Sequence, residues 1–563
     1  MLHLIPAIKV LTEKPDHFTS DSIFYDATKL DGRLAAALAK LPFSNEGAPV
    51  EIQIAGTEGE GYTLDILPRE IRITADSAAG AFYAIQTLRQ IFANKEIPCL
   101  HAEDKPDFPY RGFYHDVTRG KIPTVETVKD LIDRMAYFKL NSLQLYVEHV
   151  FEFEQTKDLQ PLTGYLTGKE LEEIDAYCKE NFISFIPSLS TFGHMYEILQ
   201  QPKYHHLRVL RDYKESENFW YARMAHHTID PLQEESFELV KSLIDQYAPH
   251  FSAAEFNICG DETFDLKNHP REDLDRGKLY IDFVQKIIAH LKEKEKTVMM
   301  WADILLKHPE TIDSLPEDTL FLNWNYRQFP PEEQIKALAS LNRPQIVCPG
   351  TTTWSRLCEN VEVEESNIAL MAEYGYQYGA KGILNTNWGD WGNPCSIELA
   401  AYGLAIGAEK GWSVNTPIDA NFRATADHVV YGKEGSLKRL CALSEIQSTL
   451  PWNEFCRAYF NRRYKNEIAT NISQETLLKA RENSQSILRE LPQSDDPYRK
   501  EMILCAQGLW SMAELWGVLA GFETPRTADT EGWLKAYSAA WREKNKDSEL
   551  YKIVDMFTYL NNL

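Results

Sequence analysis

Several signatures are missing from this sequence, and their absence narrows the field first. The nine cysteines are scattered and none forms a C-x-x-C pair, so neither a disulfide framework nor a zinc site is expected. There is no G-x-S-x-G elbow and no H-E-x-x-H, which removes the serine hydrolases and zinc proteases that carry those motifs. The histidine pairs His205-His206 and His226-His227 have no carboxylate at ligand spacing, and adjacent side chains point apart, so no metal is expected. Gly56, Gly59 and Gly61 do not form a G-x-G-x-x-G fingerprint, which weighs against a nucleotide. No run approaches about 18 apolar residues, the length needed to span a membrane. Met1-Leu-His-Leu-Ile-Pro6 lacks a basic start followed by a long apolar stretch, so a cytoplasmic location is expected. There the sequon Asn471-Ile-Ser473 carries little meaning. Basic residues are in deficit, 59 Lys and Arg against 83 Asp and Glu, a net charge of −24. That disfavours nucleic acid and anionic membranes, both polyanions, as partners.

One stretch organises what is there: Ala254-Glu-Phe-Asn-Ile-Cys-Gly-Asp-Glu-Thr263. It begins as a buried strand and ends in two adjacent carboxylates, Asp261 and Glu262. Helical patterns flank it over Ser236–Tyr247 and Asp273–Lys292, making it one unit of a parallel α/β fold. Such folds place their chemistry at the C-terminal ends of strands. Taken alone, the two acids read equally well as a helix cap and a solvated side chain.

Length, 563 residues, allows two to four domains. Residues 1–107 alternate short strands and helices, with period-two patterns at Val50–Ala55, Tyr62–Leu67 and Glu70–Ala75 and an amphipathic helix over Gly80–Ile91. They read as a small α+β domain ending at the proline-containing link Glu103–Pro109. Residues 108–420 repeat strand then helix, with strands expected at 110–118, 141–148, 183–190, 254–261, 296–304, 319–326, 344–351 and 382–389. Val128, Leu131, Ile132, Met135 and Phe138 form one helical face after the first of them. Eight strands over roughly 300 residues match a (β/α)8 TIM-type barrel. An open doubly wound sheet is the alternative, but its Gly-rich turn is missing after the first strand. Residues 421–563 read as all-helical, with long patterns at Leu477–Leu491, Tyr498–Phe522 and Trp533–Trp541.

On the barrel reading, the strand ends carry Asp116 and Arg119; Glu148 and His149; His194; Asp261 and Glu262; Trp301 and Asp303; Trp324 and Tyr326; Trp354; and Trp388, Asp390 and Trp391. Five of the 12 tryptophans fall at the last four ends. A pyranose needs flat aromatic walls for its C–H face and charged or amide partners for its hydroxyls. The set describes a small pocket for a neutral sugar, although Arg119, His194 and Trp391 each also have a structural reading, as a salt-bridged, a lone structural and a core residue.

Tyr110-Arg-Gly-Phe-Tyr-His-Asp-Val-Thr-Arg119 resembles the first barrel strand of family 20 glycoside hydrolases, the β-N-acetylhexosaminidases. Met135-Ala-Tyr-Phe-Lys-Leu-Asn141, Thr191-Phe-Gly-His194, Ile258-Cys-Gly-Asp-Glu262 and Asn387-Trp-Gly389 resemble further family motifs in the same order. The resemblance implies an exo-acting, retaining enzyme that releases terminal β-linked GlcNAc or GalNAc from a small oligosaccharide or glycoconjugate, without metal or organic cofactor. It implies that Glu262 is the general acid and then base, and that Asp261 holds the acetamido nitrogen. Arg119 would bind ring hydroxyls, Trp301, Trp324 and Trp388 would wall the sugar, and His194 would support the acid. Glu148, His149, Tyr326, Trp354 and Asp390 complete the expected substrate-binding set.

The chain departs from the pattern at Tyr146-Val-Glu-His149, where the family has two aspartates, and at Thr351-Thr-Thr-Trp-Ser-Arg356, where Trp354 stands at a tyrosine position. Tyr326, Tyr146 and Asn323 remain as candidates to hold the acetamide oxygen. Two alternatives stay open: a β-glycosidase using Glu148 or Asp390 as nucleophile, and a glycan-binding protein without catalysis. The segment Trp541–Glu549 is expected either to lean over the barrel mouth, from the same chain or from a homodimer mate, or to be a packing helix.

Overall fold

The computed structural model describes the chain except residues 1, 95, 160–163, 212–215, 225–226 and 469–470. An N-terminal sheet comprises β1 (Val10–His17), β2 (Ile23–Phe24), β3 (Ala48–Ile54), β4 (Tyr62–Leu67), β5 (Glu70–Ala75) and β6 (Pro98–Asp104). Their order is β1-β6-β4-β5-β3-β2, and the helix Ala78–Phe92 buries one face of the sheet. The Ser77 hydroxyl caps that helix by accepting from the Ala79 and Gly80 amides. The sequence pattern does not reveal β1. That strand is an exposed edge interrupted by Pro15, and its pairing with β6 slips between Glu13 and His17, as an edge strand tolerates.

Eight parallel strands follow: β7 (Tyr110–Asp116), β8 (Ser142–Val147), β9 (Ser184–Leu189), β10 (Glu255–Asn257), β11 (Thr297–Trp301), β12 (Leu320–Trp324), β13 (Gln345–Cys348) and β14 (Gly382–Asn387). They close into a barrel in sequential order, with β14 paired to β7 and β9 to β10. This is the TIM-type barrel the strand–helix repeat predicts. Its interior is a packed cluster that includes Tyr114, Tyr146, Met299, Trp301, Leu384 and Trp388. The helical face predicted at Val128, Leu131, Ile132, Met135 and Phe138 is buried against the barrel's outside.

Buried ion pairs join the layers. Arg111, on the outer side of β7, reaches Glu60 of the N-terminal sheet domain at 2.6 Å. Lys139 meets Asp104 at 3.1 Å, and the Trp412 indole donates to the same carboxylate at 2.9 Å. The C-terminal region is helical, as expected. Its helix Pro497–Ala520 is long and apolar enough to cross a membrane, but 83% of that window is buried inside the protein.

The segment after Trp541 braces the barrel and does not line the pocket described below. Lys546 donates its amide to Ile122 O and Glu549 donates its amide to Gly120 O, directly behind Arg119. The Glu549 carboxylate pairs with Arg223.

Candidate active site

The acid pair is presented by broken strand geometry. β10 stops at Asn257, four residues before the first acid. Cys259 (φ 57°), Gly260 (φ 78°) and Glu262 (φ 48°) are all left-handed. For Cys259 and Glu262 this backbone is costly, about 1–3 kcal/mol each, and persists only where surrounding contacts hold it. The hold is visible: the Tyr280 hydroxyl donates to Gly260 O at 2.8 Å, and the Glu262 amide donates to Asp303 Oδ2 at 3.3 Å.

The loop after β9 brings His194 against the pair. A Cβ on Gly193 would stand 2.4 Å from Asp261 O, so only glycine permits this approach. His194, itself left-handed (φ 55°), places Nε2 3.3 Å from Asp261 Oδ2 and 3.3 Å from Glu262 Oε2. Burial works to lower the imidazole, but the charge of Asp261 and hydrogen bonds to both acids outweigh it and hold His194 up at about 10. Arg119 Nη2, 3.3 Å from Nδ1, opposes that charge.

Asp116, fully buried, organises the other side. Its Oδ1 accepts from the Thr118 and Arg119 amides, and its Oδ2 from the Gly389 amide and from Arg119 Nη1. One carboxylate thus fixes both Arg119 and the Trp388–Asp390 segment. Arg119 pairs with Asp390 at 2.8 Å and lies over the rings of Tyr146 and Trp388, 5.0 and 5.2 Å from their centroids. Burial raises the Asp390 carboxyl, and the Arg119 charge counters it.

These elements enclose a pocket of about 550 Å³ lined by Arg119, His194, Asp261, Glu262, Trp301, Trp324, Tyr326, Trp354, Trp388 and Asp390. Ten of the twelve residues singled out from the sequence therefore meet there. Glu148 and His149 do not. Glu148 is buried behind the wall, 3.6 Å from Arg119 Nε and accepting from the Tyr146 hydroxyl at 2.9 Å. His149 is 1% exposed, and burial pushes its imidazole down to about 4. The expectation that these two touch substrate is corrected: β8 ends at Val147, and both residues sit beneath the rim.

The three candidates for the acetamide oxygen separate. Asn323 is spent on Gln334 and Gln345, and Tyr146 on Glu148 and Ser190; neither lines the pocket. Tyr326 does. Trp391, by contrast, is a packing residue, its carbonyl accepting from the Trp452 indole at 2.9 Å.

Sequence reasoning placed Asp116 and Asp303 at strand ends without giving either a part in the site. Asp303 is mostly buried beside the acid pair. Burial, reinforced by the charge of Asp261, raises its carboxyl to about 7. Among the described residues, His194, Asp261 and Glu262 form the one group with three ligand-type atoms within 4.8 Å of one another. His206 pairs instead with Glu235, and His226 lies outside the described residues.

Comparison with known proteins now bears on identity. The model of the family 20 glycosyl hydrolase catalytic domain matches residues 108–378, and that of the family's domain 2 matches residues 3–105. A β-hexosaminidase of Porphyromonas gingivalis is 26% identical over 330 residues, 52% of this chain and 40% of that protein. One from Emericella nidulans is 26% identical over 306 residues, 47% and 49% of the two chains. The matched region thus spans less than half the length of these curated relatives. The solved Flavobacterium johnsoniae chitobiase superimposes with a TM-score of 0.62 at 17% identity over 99% of both chains. A Vibrio harveyi exo β-N-acetylglucosaminidase, solved with N-acetylglucosamine, gives 0.59 at 19% over 76% of both. At such identities the structures speak for the fold. The two family models, covering the sheet domain and the barrel that holds the acid pair, place this chain in family 20 of the glycoside hydrolases.

Proposed function

We propose that the protein is an exo-acting, retaining β-N-acetylhexosaminidase working by substrate assistance. One observation carries the reading. Besides the neighbouring pair Asp261 and Glu262, the pocket's remaining carboxylate is Asp390, which is committed to Arg119 at 2.8 Å. Glu148 is behind the wall. Neither is poised to attack an anomeric carbon, so the nucleophile falls to the substrate's own acetamide oxygen. As that oxygen bonds to C1, the C1–O bond to the leaving group breaks and Glu262 gives its proton to the departing oxygen. Asp261 accepts the acetamido N–H and stabilises the oxazolinium cation. Water then adds to C1 on the face the leaving group vacated, passing its proton to Glu262 as the bond from C1 to the acetamide oxygen breaks and the acetamide is restored, and configuration is retained. A hydroxyl from Tyr326 supports the acetamide oxygen. The P. gingivalis and E. nidulans relatives, both named β-hexosaminidases, agree with the reading.

The test is initial rates on chromogenic β-glycosides of GlcNAc, GalNAc, glucose and galactose, with a thiazoline analogue as inhibitor. Activity confined to the acetamido sugars with thiazoline inhibition supports the proposal. Equal activity on glucose or galactose would overturn it. Glu262→Gln should lower kcat roughly 10²–10⁴-fold on a poor leaving group, and Asp261→Asn should abolish thiazoline sensitivity.

A further inference from the structure

Two wholly buried carboxyls outside the catalytic pocket face each other with no cation between them. Glu359 closes the loop that follows β13, and Glu364 lies in the first turn of the helix Val361–Gln377. They meet over one glycine. Glu359 Oε2 accepts from the Gly403 amide at 3.1 Å, and a Cβ on Gly403 would stand 2.7 Å from Glu364 Oε2. The two carboxyls are within hydrogen-bonding reach of each other. Glu359 Oε1 and both Glu364 oxygens otherwise meet no donor among the described residues. The buried Glu398, Glu501 and Glu514, by contrast, each pair with a Lys or Arg.

The surrounding elements supply no counter-charge. Cys358 adjoins Glu359, Cys441 comes from the helix Ser436–Thr449, and the buried Tyr431 hydroxyl lies near both carboxyls without a partner of its own. Glu365, the next acid on the helix, is committed to Arg423 and to the Tyr402 hydroxyl. Arg356 donates to Cys358 O, Ser444 O and Ser448 Oγ. Two like charges this deep do not both ionise. Burial raises both carboxyls, and the charge of Glu359 raises Glu364 further.

What the pair anchors is the loop that carries Trp354. Residues 351–360 leave the end of β13, put Trp354 into the catalytic pocket and return to Glu359. Thr352 (φ 48°) and Ser355 (φ 57°) are left-handed, a strain that persists only where the base of the loop is held. At that base the Thr352 hydroxyl donates to Asn360 O at 3.0 Å and the Asn360 amide donates to Thr352 O at 3.3 Å, beside Glu359.

We propose that Glu359 and Glu364 share one proton and that this pair acts as a positioning element, holding the Trp354 loop so that the indole stands against the sugar. The protonated carboxyl donates to the ionised one, as in other acid pairs that cannot both ionise. When alkali removes the shared proton, the contact becomes a repulsion at the base of the loop and Trp354 withdraws from the pocket wall. The inference rests on the catalytic reading above for what Trp354 touches.

The experiment measures KM and kcat on a chromogenic acetamido glycoside from neutral to strongly alkaline pH, for the unmodified protein, Glu364→Gln and Glu364→Ala. Glutamine keeps a donor for Glu359 and has no charge to gain. Titrations inside the catalytic pocket are common to all three, so the differences report the pair. KM of the unmodified protein should climb roughly three- to tenfold more across that range than KM of Glu364→Gln, about the worth of one aromatic contact, while kcat follows one profile in both. At neutral pH Glu364→Gln should match the unmodified KM, and Glu364→Ala, which strips Glu359 of its partner, should exceed it. Glu359→Gln, whose amide oxygen still accepts from Gly403, should behave as Glu364→Gln does and stands in for it if that variant folds poorly. Superimposed KM profiles for the unmodified and glutamine proteins, or an unchanged KM in Glu364→Ala, would overturn the proposal. So would stabilisation of the unmodified protein by calcium that Glu364→Gln abolishes, because a cation would then sit where the proton is placed. Silence of the unmodified protein on the glycoside would overturn the catalytic reading instead. The pair is then judged by Tm, which should fall further toward alkaline pH in the unmodified protein than in Glu364→Gln, since carboxyls raised in the fold lose it stability as pH climbs. Parallel Tm curves would overturn the shared proton.

Discussion

The Trp388 indole nitrogen donates to the Tyr326 hydroxyl at 2.7 Å. The bond ties the end of β14 to the end of β12 across the pocket mouth. The hydroxyl oxygen is the acceptor there, so the phenol keeps its own proton to donate, with the Thr386 hydroxyl as its other neighbour. Burial raises the phenol far above its ordinary range, so that proton stays in place at any working pH.

Tyr326→Phe should therefore lower kcat by roughly 10- to 100-fold with little change in KM, the signature of a donor that matters as charge develops on the acetamide oxygen. Steady-state kinetics on a chromogenic acetamido glycoside reads this directly. Rates within twofold of the unmodified protein would assign the acetamide oxygen to another group.

Gly193→Ala tests how the acid pair is approached. Its Cβ would collide with the Asp261 carbonyl, which is backbone and cannot swing aside. We expect a loss of about 1–3 kcal/mol in stability from overpacking, with a larger fall in activity as His194 is displaced. Thermal unfolding and kcat measured together separate the two effects. Unchanged kcat would mean that the contact between the loops is not what positions the histidine.

Titration of His194 should appear in the stability curve. Its folded pKa, about 10, lies above the ordinary 6.5. The imidazolium thus stabilises the fold fully below about 6.5, and the contribution disappears as pH rises through about 10. The unmodified protein should lose more Tm between pH 7 and pH 10 than His194→Asn does. Parallel curves for the two proteins would contradict the charged state.

Asp303 has the opposite sign. Burial first, and then Asp261, lifts its carboxyl from 3.8 to about 7, so the folded state loses stability as pH rises from the lower value to the higher and bears the full cost beyond it. Asp303→Asn should raise Tm at pH 8 and give no gain near pH 4. It also weakens the acceptor on the Glu262 amide, and kcat should drop even as Tm climbs. A Tm difference independent of pH would show that the carboxyl is not the titrating group.

Much of this molecule can be read from local order. The strand–helix repeat from Tyr110 to Asn387 is a matter of hydrophobic period, and period is a property of neighbours in sequence. The acid pair and the tryptophans at strand ends are legible for the same reason. Once eight strands are counted, the barrel assigns their ends to one mouth. The edge strand β1, with Pro15 and little burial, lacks any such period and is invisible to it.

Which strand-end side chains enter the pocket was decided only by the tertiary structure. A strand alternates its side chains by two, but residues 194, 259, 260, 262 and 391 are left-handed and reset that parity where the site is built. Glu148 and His149 follow the end of β8 at Val147 and pass behind the wall that sequence would have them line. Asp116 links Arg119 to Gly389, 270 residues apart in sequence, and no local pattern encodes such a bridge.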